Sequence, residues 1–247
     1  MLYKEYRPNI LLSPYIETYW ISGGFAGEGK YHTILPDGCV DIIFILDKAK
    51  NAFKAEIVGT MTTFLNISFT EHVQIFGIRF KPTGITAFTK VPVEEFTNKD
   101  IELTSVKTLF CKTFQKTLSE KKSVEEIIKY TDNYLINSLS YIYQPDKQII
   151  RAVDLIYFAK GRLSLAEIAS EACLCQRHFE RKFKSIIGIS PKTFAKIIRF
   201  KHTLRYLQNN PQNDLLSAAI ECGYYDHTHL IKDFKILSGN TPNNIRR

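Results

Sequence analysis

Apolar positions along the chain follow two different periods. In the first hundred residues, β-branched and aromatic residues cluster in short runs: Tyr15 to Ile21, Tyr31 to Leu35, Val40 to Leu46, Ala55 to Gly59 and Val73 to Phe80. Turn residues such as Pro36-Asp37-Gly38 separate them, and this spacing predicts the strands of a small sandwich or barrel. From about residue 103 the period changes: Val106, Leu109, Phe110 and Phe114 recur at helical spacing, and Val124, Ile127, Ile128, Thr131 and Leu135 form a second stripe behind Ser123. Serine is a favoured helix cap, so the pattern predicts two amphipathic helices, at about 105–118 and 123–140. Pro145, in Tyr143-Gln-Pro-Asp-Lys147, ends the second and marks a connector.

Beyond the connector the pattern is helical throughout. Ser164-Leu-Ala-Glu167 is a capping box, Ser190-Pro191 sets a cap before a first-turn proline, and Asp226 caps another start. Six or seven helices are expected. The fold class is α+β in two domains: a β-rich, sandwich- or barrel-like unit with two following helices over 1–142, and an all-α unit over 147–247.

Charge sharpens this division. Residues 1–146 hold 16 Lys+Arg and 17 Asp+Glu, a net of −1, whereas 147–247 hold 17 and 8, a net of +9. All of the basic excess lies in the helical part, where it fits either a polyanion such as double-stranded DNA or a solvated basic surface. Five cysteines at irregular spacing (39, 111, 173, 175, 222) suit reduced thiols better than a disulfide framework. The most apolar run, Cys39 to Leu46, is eight residues long and contains Asp41, well short of the roughly 18 needed to span a bilayer. The N-terminus also lacks the basic-then-apolar order of a signal peptide. A cytoplasmic protein without membrane contact is expected.

An internal repeat carries the functional information. With a shift of 51 residues, Phe179-x-x-x-Phe183-Lys184-x-x-x-Gly188-x-Ser190-Pro191 matches Leu230-x-x-x-Phe234-Lys235-x-x-x-Gly239-x-Thr241-Pro242. Upstream, Ile168-Ala169 corresponds to Ala218-Ala219. Each copy reads as helix, short turn, helix and a glycine stop. In the first copy Phe179, Phe183 and Ile186 share an inward face, leaving Arg177, Glu180, Arg181 and Lys184 outward. The second copy turns Leu230, Phe234 and Leu237 inward and Thr228, Ile231, Lys232 and Lys235 outward, with His227 at the helix start. A helix-turn-helix unit presents its second helix to the major groove in this way. Arginine can donate to both guanine O6 and N7, glutamate can accept from cytosine N4, and Ile231 suits a thymine methyl.

Residues 147 to 245 resemble the double helix-turn-helix domain of AraC/XylS-type transcriptional regulators. The resemblance is carried by Leu163-Ser-Leu-Ala-Glu-Ile-Ala169, His178-Phe-Glu-Arg-Lys-Phe-Lys184, Gly188-Ile-Ser-Pro191, Arg199-Phe200, Tyr206-Leu207, Cys222-Gly-Tyr224 and Phe234-Lys235. It implies two units joined by a long helix, about Pro191 to Leu207, with their recognition helices in successive grooves of a promoter. Arg177, Glu180 and Arg181 would then read one half of the site, and His227, Thr228, Ile231 and Lys232 the other. Lys184, Lys192, Lys196 and Lys235 would meet phosphates. The family pattern has a small residue in the first turn and Ser at the recognition-helix cap, where this chain has Cys173 and Cys175; Cys175 is a poor cap.

Family members also carry a second domain that binds a small effector or dimerises. Leu35-Pro-Asp-Gly-Cys-Val-Asp-Ile-Ile-Phe44 with Gly77-Ile-Arg-Phe80 resembles the N-terminal domain of one subgroup. Asp41 and Arg79 interrupt apolar strands, so each needs a partner if buried; the two either grip a polar ligand or pair with one another. Trp20, Tyr15, Tyr19 and His32 are further candidates for a pocket lining or for core. Cys111 and Cys222 read as packing residues. No zinc spacing, phosphate-binding glycine loop or serine elbow occurs, so no cofactor, metal or catalytic group is expected. The reading is a one-component regulator, not an enzyme, whose partners are promoter DNA and an effector; RNA polymerase and a second copy of itself are further partners that the sequence leaves open. The alternatives are a DNA-binding protein whose front domain only dimerises, and a barrel enzyme with a DNA-localising domain.

Overall fold

The computed structural model describes residues 2–23, 31–47, 49–50, 52–68 and 73–245. The front domain contains β1 (Leu2–Tyr6), β2 (Ile16–Gly23), β3 (His32–Ile34), β4 (Asp41–Asp47), β5 (Ala52–Val58), β6 (Leu65–Ile67), β7 (Val73–Phe80) and β8 (Asp100–Glu102), then α1 (Lys112–Ser119) and α2 (Val124–Ser138). Six strands form one antiparallel sheet in the order β1-β2-β7-β4-β5-β8, and β3 pairs with β6 as a separate ribbon. Side chains alternate across a strand, and the two faces of this sheet have different fates. Tyr19, Ile21, Ile42, Phe44, Ala55, Ile57, Phe76, Ile78 and Phe80 pack with Phe110, Phe114, Leu118 and Leu135 into one core beneath α1 and α2. Residues of opposite parity stand on the other face.

The five strands read from the pattern are present with shifted ends, while β1, β6 and β8 left no signal in it. The last two are three residues each, and β1 is a sheet edge carrying Lys4 and Glu5. The helix anticipated from about 105 begins only at Lys112. Before it, Val106 is extended and Thr108 bridges to Thr89, so Val106 and Leu109 reach the core from a loop. Cys111 is not a packing residue: it is exposed at the N-terminal cap of α1. Cys222 is buried. Ser123 caps α2 by accepting from the Glu126 amide at 3.2 Å.

The back domain holds α3 (Lys147–Phe158), α4 (Leu165–Glu171), α5 (Gln176–Ile187), α6 (Pro191–Asn209), α7 (Leu215–Glu221), α8 (His227–Ser238) and the short α9 (Pro242–Ile245). The pairs α4–α5 and α7–α8 are the two copies of the repeat, joined by α6. Their backbones repeat as well: Gly188 (φ +93°) and Gly239 (φ +70°) end α5 and α8 in the left-handed region, and Cys173 (φ +54°) and Gly223 (φ +79°) occupy it in the turns. Cys173 thus adopts a conformation that glycine takes freely. Cys175 caps α5 without a side-chain bond, whereas Asp226 accepts from the His229 amide at 2.6 Å to start α8. Phe179, Phe183 and Ile187 are the fully buried trio of α5, and Ile186 is only partly buried. This is a correction by one residue, because a nearly straight helix carries the stripe from i+7 toward i+8.

Each unit is braced by an ion pair. Lys182 of α5 meets Asp146 at 2.7 Å, and Asp146 also caps α3. On α8, Asp233 is 4% exposed and lies 3.1 Å from Lys196 and 3.6 Å from Arg199, both on α6. Arg199 in turn lies over the Tyr224 ring at 4.8 Å. This cluster ties α8 to the linking helix α6.

Removing one member of a buried ion cluster leaves the others uncompensated. Asp233→Ala is therefore expected to destabilise the back domain by about 3–5 kcal/mol in urea unfolding. Cys173→Gly is expected to stabilise it by about 1 kcal/mol, because it relieves the left-handed strain in the first turn; a lower midpoint would show that the thiol contributes packing instead.

Candidate nucleic-acid interface and front-domain cavity

The outward faces of α5 and α8 carry the charges expected from the repeat. Arg177, Arg181 and Lys184 are exposed, and Glu180 is half-exposed and accepts from Gln176 at 2.9 Å. On α8, His227, Thr228, Lys232 and Lys235 are exposed and Ile231 is half-buried. Lys192, near the start of α6, is exposed too. Two of the proposed phosphate lysines already have carboxylate neighbours: Lys196 in the Asp233 cluster, and Lys184 with Glu94 of the front domain at 3.4 Å. Glu94 is a residue that nothing in the repeat pointed to.

The four front-domain candidates, Trp20, His32, Asp41 and Arg79, line one cavity of about 410 Å³. Its floor is the second face of the sheet, from Tyr3 of β1 across Trp20 and Ser22, Ile75 and Arg79, Asp41, Ile43 and Ile45, Glu56 and Val58, to Asp100 of β8. The ribbon contributes His32, Ile34, Leu65 and Ile67. Tyr15 and Tyr19 do not belong to it. Both pack with the core, where the Tyr19 hydroxyl donates to Asp132 at 2.8 Å.

Asp41 and Arg79 face each other across β4 and β7, so register alone brings them together. Arg79 donates from Nε and Nη2 to the two Asp41 oxygens at 3.1 and 3.0 Å. Its Nε also lies 3.5 Å from Asp37, and the Trp20 indole donates to Asp41 at 3.1 Å. Burial pushes the Asp41 carboxyl up to about 6, against the pull of Arg79. The Trp20 ring is accommodated because its neighbour is Gly77, where a Cβ would fall 2.0 Å from the indole. Pairing and cavity lining therefore coincide in the same two residues. Ser22, Glu56 and Asp100 were missed. Ser22 lies two residues beyond Trp20 on the same strand face, so period-two spacing could have found it; Asp100 sits on a strand that the pattern did not reveal.

The segment from Gly59 to Leu65 belongs to both domains' surroundings. Gly59, Met61 and Leu65 line the cavity. Between them, the Thr60 hydroxyl donates to the Ile187 carbonyl at 2.7 Å, and the Phe64 ring closes over Gly239, where a Cβ would fall 2.6 Å away. Nearby, Thr97 donates to the Gly188 carbonyl at 2.6 Å. The front domain thus holds the C-terminal ends of α5 and α8 and leaves their N-terminal faces open.

Residues 4–102 match a domain of unknown function (DUF6597), and residues 168–247 match a helix-turn-helix domain. No curated protein matches the chain. Among solved structures, ToxT from Vibrio cholerae is similar at 10% identity and a TM-score of 0.45, over 99% of this chain and 97% of that one. An apo ToxT variant aligns at 10% identity and 0.44, over 92% and 96%. Unsaturated fatty acid bound wild-type ToxT aligns at 10% and 0.43, over 87% and 90%. Among the described residues no helix is long and apolar enough to cross a membrane.

Proposed function

We propose that this chain, whose residues 168–247 match a helix-turn-helix domain, is an AraC-type DNA-binding transcription regulator, that α5 and α8 enter successive major grooves and that a small effector in the front-domain cavity tunes their grip. The observation that carries the DNA reading is the repeated unit itself: two equivalent helices on one linking helix, each with a polar N-terminal face open to solvent. Arg177, Glu180 and Arg181 read bases in one groove, and His227, Thr228, Ile231 and Lys232 in the next. Lys184, Lys192, Lys196 and Lys235 set position against phosphates, which fix register without sequence information.

Effector control rests on the shared segment. A ligand against Gly59, Met61 and Leu65 acts on the same stretch of chain whose Thr60 and Phe64 touch the two recognition helices. A ligand that prefers one placement of this segment shifts the population of domain arrangements, and with it DNA affinity.

Selection from a random duplex library with the full chain is expected to enrich two elements about one helical turn apart; loss of all binding as salt rises, with no enrichment, would overturn dual reading. Arg181→Ala is expected to cost about 1–3 kcal/mol at the selected site and to relax preference at one position. An equal loss on cognate and random DNA removes Arg181 from base reading. Lys184→Ala is expected to weaken all sequences alike and lower the salt slope by about 1, and an unchanged slope removes it from the phosphate contacts.

A further inference from the structure

The charge of the front-domain cavity is lopsided. Asp37, Asp41, Glu56 and Asp100 line it against a single guanidinium, that of Arg79. Arg79 is already committed, bidentate to Asp41 and within 3.5 Å of Asp37. Among the described residues, an anion entering here would meet carboxylates and find no free Lys or Arg to receive it. Glu56 is paired at 2.5 Å with Lys54, whose side chain is 61% exposed and has water as an alternative. Asp100, itself exposed, has no cation within salt-bridge distance among the described residues; desolvation and the neighbouring Glu56 raise its pKa, and Lys54 partly offsets them. A cation placed there adds to the partial relief that Lys54 already gives.

A second feature independently marks this cavity as a ligand site. The Ser22 hydroxyl, on a residue only 2% exposed, has no hydrogen-bond partner, although Ser22 lines the cavity. Buried polar groups are nearly always satisfied, and this one is free to meet a ligand. Beside it the Tyr3 and Trp20 rings lie 6.0 Å apart, at the other edge of the sheet from Glu56 and Asp100, as aromatic surface for the ligand's apolar end. The remaining wall is aliphatic: Ile43, Ile45, Val58, Leu65 and Ile75. The volume falls within the range of small-molecule sites.

Resting on the reading of this cavity as the effector site, we propose that it takes an organic cation: a protonated amine on a compact apolar body. The ammonium is directed to Glu56 and Asp100, and the body lies against the isoleucines and reaches toward β2.

The test uses three probes with the same phenylethyl body and different heads: phenethylamine, phenethyl alcohol and hydrocinnamate. Each is titrated into the full chain near neutral pH and followed by thermal unfolding and calorimetry, since a ligand of the native state raises its stability. The amine is expected to bind about tenfold more tightly than the alcohol, and the acid not at all. Glu56→Gln combined with Asp100→Asn is expected to remove that tenfold preference while leaving the alcohol unchanged. If the acid or the alcohol binds as tightly as the amine, the cavity stands as a ligand site and the cationic class is overturned. If none of the three binds, the cavity falls as a small-molecule site and the proposal with it. Ile45→Trp, which fills the cavity, is expected to abolish amine binding; undiminished binding in a folded Ile45→Trp chain places the amine elsewhere and also overturns the proposal.

Discussion

A helix cannot satisfy its own last carbonyls, and for α5 two of these oxygens, those of Ile187 and Gly188, accept from threonine hydroxyls of the other domain. These bonds act together with Leu35 packed on the back-domain core and Phe194 against Gly38 to join the two domains. Gly188 makes the bonds feasible, because its left-handed backbone ends α5 and a Cβ there would fall 2.9 Å from the Thr97 hydroxyl. The repeat then supplies a second contact at no cost in new design: Gly239, the equivalent stop on α8, is covered by Phe64. Two glycines that sequence periodicity assigns to helix termination are also where the front domain fastens.

The same logic of one residue serving two ends governs the sheet. Its alternation forces every second side chain onto a face away from α1 and α2, and there the antiparallel register sets Arg79 directly opposite Asp41. Their mutual bonds offset the desolvation that would make either one prohibitive alone, so the pair is structural. It also shapes the cavity, since committing Arg79 inward leaves the surplus of carboxylates uncompensated. Structural pairing and the lining of a cavity are successive consequences of one register.

What was legible in the sequence follows from what is local. The back domain could be read almost residue by residue because its signals act within a few positions: Ser164 with Glu167, Ser190 before Pro191, and Asp226 at the start of α8 each set their own helix. The 51-residue repeat allowed each copy to check the other. The front domain was legible in its long strands and obscure elsewhere. Strands β6 and β8 are too short to show a period, and α1 starts late because Thr108 is held in a bridge to Thr89, a contact across nineteen positions of chain. The cavity residues Trp20, His32, Asp41 and Arg79 stood out as polar or aromatic interruptions, but the contacts of Thr60, Phe64, Glu94 and Thr97 with α5 and α8 are long-range. No local pattern distinguishes those residues from other loop positions.

These contacts also constrain how control can operate. Lys184 and Glu94 are both substantially exposed, 57% and 35%, and exposed ion pairs contribute little; a phosphate that takes over Lys184 therefore displaces a weak partner. The stronger hold, through Thr60 and Thr97, lies at the C-terminal end of α5, with Phe64 covering the corresponding end of α8, whereas the proposed base-reading side chains stand toward the N-terminal ends. Apart from Lys184, holding by the front domain and the proposed reading of DNA therefore occupy different ends of the same helices and do not compete for the same atoms. In the proposed scheme an effector acts by setting the position and spacing of two helices that remain uncovered throughout, and sensitivity to small shifts follows, because both helices must fit their grooves together.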